Sequence, residues 1–463
     1  MADAGLALYA HLMRRAGFGY RIGDLEKMAE KGYEQCVEDL LHPERFPDIE
    51  VDLLERYYGT GNLGWSYQWW HRMINSPRHL HEKMTLFWHH LFATGDSKAS
   101  HTPSAHGQID TFRRVALSDF RTLLTELSKD PAMIFWLDNN ENLKEEPNEN
   151  YGRELLELFS MGVGNYTEQD VKAAAQAFTG WTLATPIPGA GSRYGGYPSR
   201  FVYRDEEHNY GVKTFLGETG RFNGEDIIDI VCRQPATSRF LARHLYSFFV
   251  EDEPPVSAWN EIPPKNVRAI EQLAEVFAET NGDIKAVLRT IFNSEWFKQA
   301  EFKRVKSPVE LVTGVLKLVG TYRGPDPDFA DYFGQAGHMG QSLLNPLTVE
   351  GWPNGTGWID GGTLNMRVNF AVNEVSDASK PGIQQMIARL EAESPVQPDD
   401  FVSRCIEYVG PAPIRGETRL GLLNAAMRDG PLDFKDESKR KFNEALVSRM
   451  VQLVVSTREY QLC

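Results

Sequence analysis

The sequence predicts a mainly α protein: a single large multi-helix domain with long Gly-, Pro- and Trp-rich loops and at most one short β-hairpin. Three observations carry this. Helix-start signals recur along the chain, each followed by apolar residues at helical spacing. Alternating strand patterns are nearly absent, the one credible pair being short, around 201–204 and 213–216. No internal repeat occurs at the periods of solenoid proteins.

The elements follow in order. Leu6, Ala10 and Met13 fit an amphipathic helix that ends near Gly17. Ser76-Pro77 and Asp130-Pro131 place a side-chain acceptor at the N-cap and a pre-set φ at the first helical position. Ser118 stands the same way before DFRTLLTEL, and Thr167 to Asp170 resembles a capping box, with Gly180 as a plausible end. Further helices are expected at about 224–233, 235–250, 266–280, 283–293, 307–319, 382–393, 416–428 and 437–455. Residues 1–380 read as the body carrying the candidate site, and 381–463 as a C-terminal helical segment packed on it.

Three stretches break the helical pattern. Residues 183–200, rich in Pro and Gly and running on to about 211, have the length of a lid or binding loop. Residues 251–264 read as a surface connector. Residues 345–363 set Trp352 and Trp358 in a glycine-rich turn, suited to a pocket wall or to plugging a core edge.

Composition narrows the function classes. At 463 residues, 41% hydrophobic and 24% charged, the chain has the make-up of a soluble globular protein. A net charge of −15 argues against nucleic-acid binding and against an anionic membrane surface. The N-terminus has no basic region before its apolar run, and no window approaches a membrane span. Cys36, Cys232, Cys405 and Cys463 are scattered, which disfavours a disulfide framework or a thiolate zinc site. A cytoplasmic location is the expectation.

Several stretches carry a resemblance. HLMRRAGFG, EKMTLFWHHLFATG, DPAMIFWLDNNEN, NENYGRELLELFSMGVGNYTEQDV, AFTGW, the GW-PNG-TGW loop and VSTREYQL run in order from about 7 to 462. The chain resembles the bacterial family catalogued as domain of unknown function 1800. That resemblance implies one mostly helical unit and no particular reaction. It also implies a partner, an alkaline-phosphatase- or sulfatase-like protein often found beside family members. Many members read W-H-N-H-F where this chain reads Trp88-His89-His90-Leu91-Phe92, so a role needing both family histidines is in doubt here. His208 matches a histidine of the family pattern.

The candidate site starts from PNENYGRELLELFSMGV. Tyr151, Leu155, Leu158 and Phe159 share one helix face, while Glu149, Arg153 and Glu157 form a stripe at i, i+4 and i+8 on the other. Such a stripe is either a solvated ladder of ion pairs or a site wall. Glu149 lies in the first turn, where the helix dipole favours its charge, and Glu154 borders the apolar face, where a carboxylate needs a partner.

The helix before Phe92 reads as buried on most sides, with Glu82, Thr85 and His89 as its polar stripe. His89 is therefore either a ligand or a histidine satisfied by main chain. Arg239 and Arg243 lie one turn apart; they suit an anion, though pairing with Glu251 to Glu253 is simpler. Arg367 is a comparable anion holder, because a guanidinium binds carboxylate or phosphate through two parallel bonds.

No P-loop, dinucleotide fingerprint, H-E-x-x-H, di-iron Glu-x-x-His or nucleophile elbow occurs. Two roles remain. In the favoured one, His89, Glu149, Glu154 and His208 gather between helices around a divalent cation (Zn, Mn or Fe) that activates water or oxygen. Glu149, Arg153, Glu154 and His208 then carry the chemistry, and Arg243 and Arg367 orient an anionic substrate against Trp352 and Trp358. In the other, the protein is a non-catalytic binding or maturation partner of the phosphatase-like neighbour, gripped by the tryptophan loop.

Overall fold

The computed structural model describes residues 3–59, 62–95, 102–184, 199–325, 330–410 and 414–463. Among these residues the chain forms 23 α-helices and two small antiparallel hairpins, so the fold is mainly α. Of the 183–200 loop expected to act as a lid, residues 185–198 lie outside the described residues. No described helix is long and apolar enough to cross a membrane.

Side-chain caps start the helices largely where the sequence places them. The Asp130 carboxylate accepts from the Met133 amide ahead of Pro131, and Thr167 and Asp170 cap each other reciprocally. Two starts move. Ser76 Oγ accepts from the Arg78 amide at 3.1 Å, closing a turn, and the helix itself spans His79–Leu91. Asp119, rather than Ser118, caps the Phe120–Ser128 helix through the Thr122 amide at 2.8 Å. The helices at Asp24–Lys31, Tyr33–Leu41 and Gly361–Ser376 were not anticipated. The first two are short and bounded by Gly23 and Gly32 at positive φ, which truncates any readable period.

The hairpin expectation needs correction. Strand β1 (Trp181–Ala184) pairs with β2 (Arg200–Tyr203), and β3 (Lys213–Phe215) with β4 (Glu218–Gly220). The segments at 201–204 and 213–216 both supply strands, but they do not pair with each other. Leu216 and Gly217, both at positive φ, turn β3 tightly back onto β4 instead.

The His79–Leu91 helix runs through the centre, with Met84, Phe87 and Trp88 buried. Trp88 stacks on Phe92 and donates from Nε1 to the Ala116 carbonyl at 2.9 Å. Lys83 on the same helix is fully buried and bonded to the Glu310 carboxylate, which Arg304 also holds at 2.8 and 3.1 Å. Two cations around one acid are tolerable only because Glu310 satisfies both, and they hold its pKa below the usual carboxylate range against the opposing effect of burial.

The 381–463 segment is stitched to the body. Gly382 lies so close to Leu318 that an added Cβ would sit 1.8 Å from its carbonyl oxygen. Ser448 Oγ donates to the Val375 carbonyl at 2.8 Å, and the Cys463 amide donates to the Arg304 carbonyl at 2.8 Å.

Candidate functional site

The four residues expected to share a cation do not gather. Among the described residues, no three His, Cys, Asp or Glu side chains come together so as to hold a metal ion. Three of the four have local partners instead. His89 Nε2 accepts from the Leu344 amide at 3.2 Å, and its ring packs edge-on between Trp69 and Trp352. His208, buried beside β2, sets Nδ1 2.9 Å from the Thr179 carbonyl. Glu149 is half-exposed and pairs with Arg153 at 3.2 Å; Arg153 also holds Glu168 through two bonds at 2.8 and 2.7 Å. That stripe is a solvated ladder.

The polar stripe of the buried helix meets a hydrogen-bond network. Arg113 Nε donates to Glu82 at 3.1 Å, and Thr85 donates back to the His81 carbonyl at 2.8 Å. Two anion candidates are likewise occupied. Arg367 is completely buried, donating Nε to Gln461 at 2.9 Å and Nη2 to the Lys306 carbonyl at 2.6 Å, with only Nη1 left without a partner among the described residues. Arg243 donates twice to Glu253, at 3.0 and 2.8 Å, and to the Trp259 and Ile262 carbonyls. Trp358 is buried and lies outside the cleft wall described next.

What the fold does build is an open cleft of about 1530 Å³. Its walls are the Pro235–Phe249 helix, the 251–265 connector, the turn after Leu158 and the tryptophan loop. Trp352 forms part of the wall as expected, although its indole Nε1 is buried without a partner. The loop is seated on His90: the Trp352 amide donates to His90 Nδ1 at 3.3 Å, and the rings lie 7° from parallel. Gly351, at φ +86°, makes this approach possible, since a Cβ there would lie 2.3 Å from the His90 carbonyl oxygen.

His244 lines the same cleft. Its ring packs between Phe240 and Trp259 at 4.4 and 4.5 Å, and its Nε2 is buried with no hydrogen-bond partner among the described residues. Burial, then the neighbouring His90 and Arg243, hold its pKa well below the ordinary histidine value. Burial likewise lowers His90 to about 4 and His89 to about 3. The cleft therefore carries neutral imidazoles at physiological pH.

The charges facing this space are mostly matched. Arg243 pairs with Glu253, Arg239 with Glu271, and Lys265 with Glu251. The exception is an acidic edge near Glu157 and Glu350, both cleft residues. Glu154, half-buried beside them with no hydrogen bond or ion pair among the described residues, is pushed up to about 7 by burial, then by Glu157 and Glu350, against the opposing Arg153.

Sequence reading missed His90 and His244. Both sit next to residues that drew the eye, His89 and Arg243, and a one-residue offset turns a helix position by about 100°. Nothing in the local pattern says which side of a nearly all-buried helix meets a cleft.

No curated protein and no solved structure matches the chain significantly. The match that does exist covers residues 11–462, almost every element described above: the chain belongs to the DUF1800 family, described as proteins of unknown function.

Proposed function

We propose that this protein is a binding or maturation partner, and that its cleft takes an extended polypeptide segment of another protein. The observation carrying this is the cleft's size and lining. At about 1530 Å³ it exceeds the roughly 300–1,000 Å³ of small-molecule sites. Val163, Val267 and Leu347 on its walls are exposed apolar side chains, and its arginines are already matched by carboxylates. An anionic small substrate thus finds no free guanidinium there, whereas an apolar segment carrying a lysine or arginine toward Glu157 and Glu350 finds complementary walls.

The phosphatase- or sulfatase-like neighbour implied by the family resemblance is the first partner to try. Co-expression followed by size-exclusion chromatography should yield a complex that Leu347→Asp weakens. Co-elution unchanged by Leu347→Asp, together with stoichiometric binding of a small anion in the cleft, would overturn the reading.

A catalytic reading retains one specific support, the unpartnered His244 Nε2 in the cleft wall, placed to act as a general base beside neutral His90. It differs from the metal-assisted enzyme in needing no cation from the residues first expected. Turnover of nitrophenyl acetate, phosphate or sulfate that His244→Gln abolishes would favour it; equal rates in both proteins, or none, remove it. Stoichiometric Zn, Mn or Fe in the purified protein would return attention to a metal-assisted role.

A further inference from the structure

A second, smaller cavity of about 50 Å³ lies behind the cleft, and Phe302 and Leu462 line both. It has room for a few waters or one small tetrahedral ion. Its polar lining comes from distant parts of the chain: Arg14 and Tyr20, Lys306 and Glu310, and Thr457, Glu459 and Cys463; the Glu310 carboxylate is already held by Lys83 and Arg304.

These groups are unusual in what they lack. Arg14 is buried and stacks on Phe302 at 4.7 Å, yet among the described residues Nε, Nη1 and Nη2 all lack a well-aligned hydrogen-bond partner. The Tyr20 hydroxyl is buried within hydrogen-bonding reach of the Arg14 guanidinium, which opposes the rise that burial gives its pKa, but the two make no well-aligned bond and Tyr20 has no other partner among the described residues. A Cβ on Gly410 would lie 3.5 Å from that hydroxyl and 3.6 Å from Arg14 Nη1, so the two face the same spot. Lys306 Nζ donates to the Tyr460 carbonyl at 2.7 Å and has further protons to give. Opposite in kind is Glu459. Its Oε1 accepts from the Arg415 amide and the Thr418 hydroxyl, while its Oε2 is buried with no donor among the described residues.

The surroundings are electropositive. Arg14, Arg15, Lys83, Arg304, Lys306 and Arg367 form one buried or half-buried group. Facing these six are the carboxylates Glu310, Asp252 and Glu459. Burial, with Arg14 and Arg367 adding to it, lowers Lys306 to about 7. An anion in the cavity would restore its charge.

We propose that this cavity is a binding site for hydrogen phosphate. Such an ion presents acceptor oxygens to Arg14, Lys306 and Tyr20, and its single O–H is the donor that Glu459 Oε2 lacks. Sulfate offers the same acceptors and no proton, so the buried Glu459 oxygen repels it. The site discriminates by that one hydrogen.

Equilibrium dialysis with inorganic phosphate and with inorganic sulfate tests this on the intact protein. Phosphate should bind saturably, at least roughly tenfold tighter than sulfate, given what one charge-assisted hydrogen bond contributes. Arg14→Gln should weaken phosphate by a similar factor. Glu459→Gln, which keeps Oε1 and supplies a donor, should leave the protein folded and bring sulfate level with phosphate. Absence of saturable phosphate binding at millimolar concentration overturns the proposal, and so does equal binding of the two anions by the unaltered protein. Glycerol phosphate, a monoester dianion without a P–OH group, should fail to displace bound phosphate, and its displacement of phosphate would overturn the donor role given to that hydrogen.

Discussion

The Trp352 amide donates to Nδ1 of His90 at 3.3 Å while the indole lies nearly parallel to the imidazole. One contact thus ties the tryptophan loop to the central helix, and it requires His90 Nδ1 to remain an acceptor. Protonation would turn that acceptor into a donor facing another donor.

Acid should therefore loosen this contact. His90 and His89 have folded-state values of about 4 and about 3, below the ordinary 6.5, so the unfolded chain takes up protons first. Their contribution is fully present above pH 6.5 and is lost as pH falls toward 4 and below. Urea unfolding at pH 7.5 and pH 5 should show a loss on the order of 1–2 kcal/mol per imidazole. The His90 ring proton shifts in NMR should stay flat between pH 7.5 and 5.5; a midpoint near 6.5 refutes the assignment.

Gly351→Ala should unseat the loop. The added methyl would lie 2.3 Å from the His90 carbonyl and 2.9 Å from its Nδ1, at a φ of +86° that non-glycine residues rarely adopt. A loss of roughly 2–3 kcal/mol is expected from overpacking and backbone strain together. Tryptophan fluorescence should report a more solvated Trp352. A variant as stable as the parent, with unchanged emission, would show that the loop is not held there.

Glu154 should report in the opposite pH direction. Its folded value of about 7 lies above the ordinary 4.5, so the folded state holds a proton the unfolded chain has released. Stability is therefore lost as pH rises from 4.5 through 7. Glu154→Gln should stabilise the protein at pH 8 by roughly 1 kcal/mol, a value reduced for the group's partial exposure, and leave it unchanged at pH 4. Equal effects at both pH values would contradict the shift.

Glu310→Gln tests the buried charge network. The substitution leaves Lys83 and Arg304, both buried, without their shared carboxylate. Removing one partner of such a pair is expected to cost roughly 3–5 kcal/mol, read as a drop in denaturation midpoint. A loss below about 1 kcal/mol would mean that water or another acid reaches the two cations.

The amino-acid sequence alone settled the helical class, because capping side chains and apolar spacing act within a few residues of each other. Asp130, Thr167 and Asp170 are local statements, and the structure reads them as written. The burial of the His79–Leu91 helix was equally legible from apolar residues on nearly every side. Tertiary structure alone decided partners. Whether Arg153 faced a substrate or Glu168, whether Arg367 met an anion or Gln461, and whether His89 met a metal or the Leu344 amide depended on residues far away in the chain. The cleft and the Arg14 cavity were hidden for the same reason: each joins segments separated by hundreds of positions, and local periodicity carries no information about which distant surfaces meet.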